Sequence, residues 1–256
     1  MAPGKYFSLN IDEFRELSKK DLEDLAVKYA KKIGFPVMAK GADQHRGSCV
    51  FKVNKTKELR NALEEIWGKT DGVVIEKFLR LDNFRIIYFD GKIVGAYGTH
   101  PFHIIGDGIT TIKELLLAAI EENKKNSIGT NFVILDKEIK THLEKAGYKE
   151  NDIVPEGEEV LLSEVSNISM GGIPRDVTGI INNGFQEYCQ KIMKTLNLRF
   201  AGIDILAADI RNKPEKSFLL EVNSSPCLEI YSNLGINQKE RTIEMLRGIV
   251  MEMKNI

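Results

Sequence analysis

The chain has 256 residues, 43% of them apolar and 29% charged, which is enough to bury the core of one large domain or two small ones and too apolar for a disordered chain. Lys plus Arg (36) nearly cancels Asp plus Glu (37), so the total lacks the positive field that draws a protein to nucleic acid or an anionic membrane. Neither is expected as a partner. No run approaches the ~18 uncharged apolar residues of a spanning helix, and MAPGKYFSLN at the start lacks the apolar core of a secretion signal. The expectation is a soluble, intracellular protein of the cytoplasm. Cys49, Cys189 and Cys227 are odd in number and scattered, so they read as reduced thiols rather than a disulfide framework or zinc cluster.

In chain order, Leu22, Leu25, Ala26, Tyr29, Ala30 and Ile33 keep the spacing of one helix face, with Ser18 as N-cap and Gly34 and Pro36 as the stop. VMAK (37–40) follows as a strand, with SCVFKV (48–53) as its partner. Leu59, Ala62, Leu63, Ile66 and Trp67 mark the next helix, expected to exit through a left-handed Gly68. VVIEKFL (73–79) reads as a strand, and FRIIYF (84–89) and KIVGAY (92–97) form a hairpin around Asp90-Gly91, a pair suited to a tight two-residue turn.

Thr111 and Glu114 make a capping box ahead of Ile112, Leu115, Leu116, Ala119 and Ile120. From Glu121 to about Glu159 the chain is polar and lysine-rich, with one brief helix at Ile139, Leu143 and Ala146. A helix through Phe185, Tyr188, Ile192 and Leu196 precedes two strands, AGIDILAADI (201–210) and FLLEV (218–222); Leu246, Ile249, Val250 and Met253 give a closing helix. Hairpins separated by helices argue α+β rather than a doubly wound parallel sheet. No internal repeat is visible.

The last two strands hold the most informative polar residues. Glu221 and Asn223, two apart, share one strand face while Leu220 and Val222 take the other, and Asp204 sits within an apolar run. Two carboxylates and an amide oxygen from adjacent strands suit Mg²⁺; the other explanation is a wet strand face with its acids ion-paired to lysines. Arg85, inside an apolar strand, is costly without an anionic partner. Its partner is either an anion in a cleft or a carboxylate on the outer face. His100 and His103 flank Pro101 without a third ligand and read as loop residues.

Six segments together resemble the ATP-grasp superfamily over about Gly34 to Ser232. LLEVNSSP (219–226) and AGIDIL (201–206) look like its two metal-carboxylate strands, FPVMAK (35–40) like its phosphate-lysine strand, and VVIEKFLRLDNFRIIYF (73–89) like its hinge. GDGITTIKELL (106–116) and NISMGGIPRDVT (167–178) look most like the cyanophycin synthetase branch and the related fused glutathione synthetases.

The resemblance implies an ATP-grasp fold of two α+β subdomains, a lid with an incomplete amino terminus at 1–80 and a metal- and substrate-binding part at 81–256, without the upstream domain that relatives carry. It implies ATP and Mg²⁺ (or Mn²⁺) as cofactors. Lys40 would meet the nucleotide phosphates, beneath a loop including Gly47 and Ser48 with its backbone N–H groups. Glu76, Lys77 and Leu79 would lie at the adenine, read by the carbonyl near Lys77 and the N–H of Leu79. Asn83, or else Asp82, would take the ribose hydroxyls, and Leu206 would be the floor under the base or an ordinary core leucine. Asp204, Glu221 and Asn223 would hold the metal. Arg85 and Arg175 would join Lys40 as catalytic residues, Arg175 on a substrate carboxylate in a loop with Asn167 and Asp176. Gly202 stands where some ligases have arginine, and Cys49 and Cys227 stand where glycine is usual.

The activity implied is ATP-dependent carboxylate–amine ligation through an acyl-phosphate, on an amino-acid or small peptide substrate. A phosphotransferase, or a non-catalytic nucleotide-binding subunit completed by a partner chain, are the alternatives; a homodimer is a further option.

Overall fold

The computed structural model describes residues 3–42, 49–125, 137–163 and 172–253. They divide into two compact units, Met1–Arg80 and Leu81–Ile256. The first contains β1 (Gly4–Ser8), α1 (Lys19–Ile33), β2 (Val37–Gly41), β3 (Val50–Val53), α2 (Thr56–Trp67) and β4 (Gly72–Lys77). Its sheet is antiparallel, in the order β1-β4-β2-β3. Val37, Ala39, Val73 and Ile75 point to one face, where they form a core with Leu22 and Ala26 of α1 and Leu59 and Leu63 of α2. Met38, Lys40, Val74 and Glu76 therefore point to the other face. α1 begins where expected, in a capping box: the Ser18 hydroxyl accepts from the Asp21 N–H at 3.2 Å while the Asp21 carboxylate accepts from the Ser18 N–H at 3.0 Å. Such a cap is worth about 1 kcal/mol.

The second unit comprises β5 (Asp82–Phe89), β6 (Lys92–His100), β7 (His103–Ile105), α3 (Ile112–Lys125), α4 (Lys137–Ala146), β8 (Glu159–Leu161), β9 (Ile173–Asp176), α5 (Gly184–Leu196), β10 (Phe200–Ala207), β11 (Phe218–Asn223), α6 (Glu229–Ser232) and α7 (Ile236–Met253). Its main sheet is antiparallel with order β11-β10-β5-β6-β9. One face carries Phe84, Ile86, Ala96, Ile203 and Ile205 against Phe185, Cys189 and Met193 of α5. On the opposite face Ile87 and Tyr97 pack against Tyr231 of α6 and Met245 of α7. A smaller core joins β7, β8, α3 and α4 through Ile104, Leu116, Leu143 and Val160. The architecture is α+β, as the hairpin pattern predicts. Among the described residues no helix is long and apolar enough to cross a membrane, and the three cysteines are free thiols.

The Asp90-Gly91 turn has positive φ at both residues, 43° and 88°, the twist a two-residue hairpin requires. Other expectations are corrected. Gly68 is right-handed (φ −73°), because α2 leaves through a turn in which its N–H reaches the Glu64 and Ile66 carbonyls. Leu220 does not share a face with Val222: a register shift between Asp204 and Ile205 pairs Ile205 with Leu219, so Leu219 and Val222 pack toward α5. β10 stops at Ala207, short of Ile210. β1, β7, β8, β9 and α6 carry no strong periodic signal and are findings of the structure.

The GDG turn is held by close backbone approach. The Gly106 N–H donates to the Glu158 carbonyl at 2.9 Å, the Gly157 N–H donates to the Gly106 carbonyl at 2.9 Å, and a Cβ on Gly106 would lie 2.2 Å from the Pro155 carbonyl oxygen. Asp107 accepts from the Ile109 and Thr110 N–H groups and the Thr110 hydroxyl; these bonds, the hydroxyl's foremost, hold its carboxyl down to about 2. Gly106→Ala is expected to lower stability by about 1–3 kcal/mol in urea unfolding. Gly179→Ala, where an added Cβ meets nothing within 4 Å, should stay within about 0.5 kcal/mol.

Candidate functional site

Directly paired residues on neighbouring antiparallel strands share a face. In the second unit this rule lines up one row across all five strands: Glu221 of β11, Asp204 of β10, Arg85 of β5, Tyr97 of β6 and Asp176 of β9. The row lies on the face away from α5. Arg85 binds Asp204 bidentately, with Nε to Oδ1 and Nη2 to Oδ2 both at 2.6 Å, the fork geometry that a guanidinium offers a carboxylate. Arg85 Nη2 also lies 3.8 Å from Glu221 Oε1. Asn223 Nδ2 donates to Glu221 Oε1 at 2.8 Å, which leaves the amide oxygen of Asn223 as an acceptor.

Burial grades this group. Asp204 is buried at 6% exposure, Arg85 is partly buried and Glu221 is exposed. Burial raises the Asp204 carboxyl above its usual range, the Arg85 hydrogen bonds and charge pull it back, and Glu221 pushes it up again. For Arg85 burial acts downward, but the Asp204 bonds outweigh it and raise the guanidinium. The two partners' shifts pull against each other. The bidentate contact decides between them, since two N–H donors of a permanent cation hold Asp204 ionised. A Cβ at Gly202 would meet the Pro226 Cβ at 2.9 Å and the Arg85 Cδ at 3.5 Å, so this position is small because Pro226 packs onto it, with the Arg85 stem alongside in ordinary contact.

One register step along, Asn83 pairs with Leu206 on the same face. Asn83 Oδ1 is a buried acceptor with no partner among the described residues. Leu206 belongs to none of the buried cores. At the other edge Asp176 accepts from Gln238 Nε2 at 2.6 Å and from the Thr178 N–H at 2.9 Å. Burial acts to raise its carboxyl, but these bonds together keep it below the usual range.

The sequence-chosen residues are thus partly assembled. Asn83, Arg85, Asp204, Leu206, Glu221 and Asn223 share one sheet face. Arg175 does not: it pairs with Gly98, which faces Phe84 and Val177, so alternation along β9 puts Asp176 on the site face and Arg175 on the other. In the first unit Lys40 Nζ binds Glu76 Oε2 at 2.5 Å across β2 and β4. The Lys77 ammonium donates to the carbonyls of Gly34 at 2.8 Å and Phe35 at 3.3 Å, pinning the end of α1, and Leu79 lies in the segment between β4 and β5. Gly47, Ser48 and Asn167 lie outside the described residues. His100 and His103 are not loop residues as expected: His100 ends β6 and His103 opens β7, buried with Nδ1 2.9 Å from the Pro101 carbonyl. Tyr97 was missed, because an aromatic in an apolar strand reads as core.

Among the described residues no group of three or more His, Cys, Asp or Glu side chains is placed to hold a metal. The donor set is instead two carboxylates and an amide, which fits Mg²⁺, an ion bound through one or two carboxylates with phosphate oxygens and waters completing its shell.

Removing one partner of the Arg85–Asp204 pair strands the other. Arg85→Ala should cost about 1–3 kcal/mol near neutral pH in guanidinium unfolding. The sign of its pH dependence follows from Asp204: without Arg85 burial raises its carboxyl unopposed, so it costs nothing below its unfolded value and destabilises increasingly as pH climbs from there to the folded value. The deficit is therefore largest near neutrality and shrinks on acidification toward the usual carboxylate range.

A family model described as the D-Ala–D-Ala ligase C-terminus matches residues 5–97. Cyanophycin synthetase of Trichormus variabilis is 29% identical over 241 residues, 91% of this chain and 26% of that protein. The glutathione biosynthesis bifunctional protein GshAB of Listeria monocytogenes is 28% identical over 203 residues, 76% of this chain and 26% of that protein. The chain thus spans about a quarter of the length of these relatives. The crystal structure of a bifunctional glutathione synthetase from Pasteurella multocida superposes with a TM-score of 0.55 at 16% identity, over 90% of this chain and 31% of that one. With its two antiparallel-sheet units and these likenesses in sequence and structure, this chain has the ATP-grasp fold and resembles the ATP-grasp domains of cyanophycin synthetases and bifunctional glutathione proteins.

Proposed function

We propose that the chain catalyses ATP-dependent carboxylate–amine ligation: the γ-phosphoryl passes to a substrate carboxylate, and an amine then displaces phosphate from the acyl-phosphate to form an amide. The substrate class proposed is an amino acid or small peptide. One observation carries this reading: Arg85, Asp204, Glu221 and Asn223, chosen on chemical grounds from strands distant in sequence, meet on a single sheet face. The relatives' names, cyanophycin synthetase and glutathione biosynthesis protein, support ligation over other uses of ATP.

In this proposal Asp204, Glu221 and Asn223 hold Mg²⁺ or Mn²⁺. A bound divalent ion would neutralise phosphate charge and orient the transferring group. Arg85 supplies a guanidinium beside those acids, where charge develops on the phosphoryl oxygens. Asn83 has an acceptor in need of a donor, and a ribose hydroxyl is such a donor. In the first unit, Lys40 exchanges its Glu76 partner for nucleotide phosphate, a site suited to a compact ammonium. Gly47 and Ser48 are proposed to contribute backbone N–H groups there, and Glu76, Lys77 and Leu79 to lie at the base.

The test is turnover with ATP, Mg²⁺ and a pool of amino acids. Ligation predicts ADP together with amine-dependent phosphate release; ADP with a phosphorylated product, or no turnover, defeats it. Glu221→Gln keeps the side chain's shape and its bond to Asn223 while removing one ligand charge. Turnover should fall by about 10²-fold or more with an unchanged unfolding midpoint, and full activity in this variant would remove Glu221 from the metal.

A further inference from the structure

Tyr97 occupies the centre of the polar row, paired in register with Arg85 on one side and Asp176 on the other. It is 1% exposed, and its hydroxyl meets no well-aligned hydrogen-bond partner among the described residues, although the Arg85 guanidinium is close enough to act on it as a side-chain donor. Buried hydroxyls are rarely left so, because they lose water and gain nothing in return. The ring is held in place. It packs among Ile87, Tyr231 and Met245, and Tyr231 is itself fixed by a 3.0 Å contact between its hydroxyl and the Thr178 hydroxyl. Burial pushes the Tyr97 hydroxyl up to about 12, with Arg85 and Asp204 among the charges acting on it, so it remains a neutral O–H whose oxygen is able to accept.

The unmet acceptor lies beside a side chain with donors to spare. Arg85 carries five N–H donors, and Asp204 accepts from its Nε and one Nη2 hydrogen. If Asp204 also ligates a cation, the guanidinium and the cation compete for the same carboxylate, and the fork must relax its hold. A guanidinium displaced in a partly buried site needs another acceptor within reach. Glu221, the other acid nearby, is itself a cation ligand in this reading, and the Tyr97 oxygen, directly across the strand pair, is the acceptor that remains.

We propose that the Tyr97 hydroxyl is the second berth of the Arg85 guanidinium: the fork rests on Asp204 while that carboxylate is free, and turns to Tyr97, presenting its remaining donors to phosphate, when a divalent cation takes Asp204. Tyr97 is then a positioning residue that acts through Arg85. This proposal rests on Asp204 and Glu221 as cation ligands, and two measurements separate its failure from failure of that reading.

The first needs no cation. Urea unfolding is compared for wild type, Tyr97→Phe, Asp204→Asn and the double variant. Neutralising Asp204 loosens the fork, so Tyr97→Phe leaves the midpoint unchanged or raised in the wild type and lowers it in the Asp204→Asn background. Equal effects in both backgrounds overturn the proposal. The second follows Mn²⁺ binding by electron paramagnetic resonance with a nonhydrolysable ATP analogue present. Tyr97→Phe weakens Mn²⁺ by about three- to tenfold, the worth of one hydrogen bond, and adds nothing further once Arg85 is replaced by Gln. Unchanged affinity in Tyr97→Phe overturns the proposal, and this measurement decides alone if Asp204→Asn does not fold. Background-dependent unfolding in a protein that binds no Mn²⁺ leaves the second berth standing and removes the cation reading.

Discussion

A guanidinium and a carboxylate facing each other in the middle of a β-sheet set the terms for the second unit. Taking Arg85 and Asp204 out of water is expensive, and their attraction repays that only when the geometry is close and the remaining donors are met. The sheet provides the geometry, since the two residues are direct partners on adjacent strands and both N–H···O bonds are 2.6 Å long. What holds the register is the opposite face. Ile86 pairs with Ile203 and Phe84 with Ile205, all packed toward α5. A slip of one residue would turn these apolar groups to the polar side and bury the ion pair against α5. The apolar core thus fixes where the charges stand, and the charges cost less because the core does not let them move.

The first unit follows the same division at smaller scale. Its helices cover one face of a four-stranded sheet, and the other face carries Lys40 and Glu76 as diagonal neighbours across β2 and β4. Both side chains are about a quarter exposed, so the pair is worth less than its short distance suggests. Each partner is exchangeable for a ligand group of the right charge at modest cost. Lys77 plays a different part, since its ammonium serves the carbonyls at the end of α1.

Much of this was legible in the amino-acid order because the signals were local. The helix caps at Ser18 and Thr111 and the Asp90-Gly91 turn are each decided by residues at most three apart. Asp204, Glu221 and Arg85 announce themselves because charge inside an apolar strand needs a reason. What escaped depends on bulges. A two-residue turn at Asp90-Gly91 without irregularity would place Ala96 opposite Arg85; the register shift between Ile87 and Tyr88 places Tyr97 there instead. The shift near Asp204 likewise trades Leu220 for Leu219 on the apolar face. An extra residue in a strand leaves no mark on composition or periodicity strong enough to read. Arg175 was misplaced for a related reason, because the parity of a short edge strand is known only once its pairing is known. Lys40 and Glu76 were each singled out, but not as partners, since their contact depends on which strands of the first sheet are neighbours.

The charge count on the site face decides what kind of ligand it suits. Asp204 and Glu221 bring two negative charges and Arg85 one positive, so this cluster carries one negative charge in excess, and Asp176 at the far end of the same row adds another. A bare triphosphate approaching it would meet repulsion from the exposed Glu221 and a guanidinium already committed to Asp204. A triphosphate carrying a divalent ion reverses both terms, because the ion is drawn to the two carboxylates and weakens the claim of Asp204 on Arg85. Under the proposed function, the exposure gradient from open Glu221 to buried Asp204 would give the ion a wet first ligand before a dry second one. A face built of lysines would bind phosphate without needing the metal. Under the proposed function, this excess of acids over arginine would make the nucleotide's affinity depend on its cation, as phosphoryl transfer to a carboxylate requires when both reactants are anions.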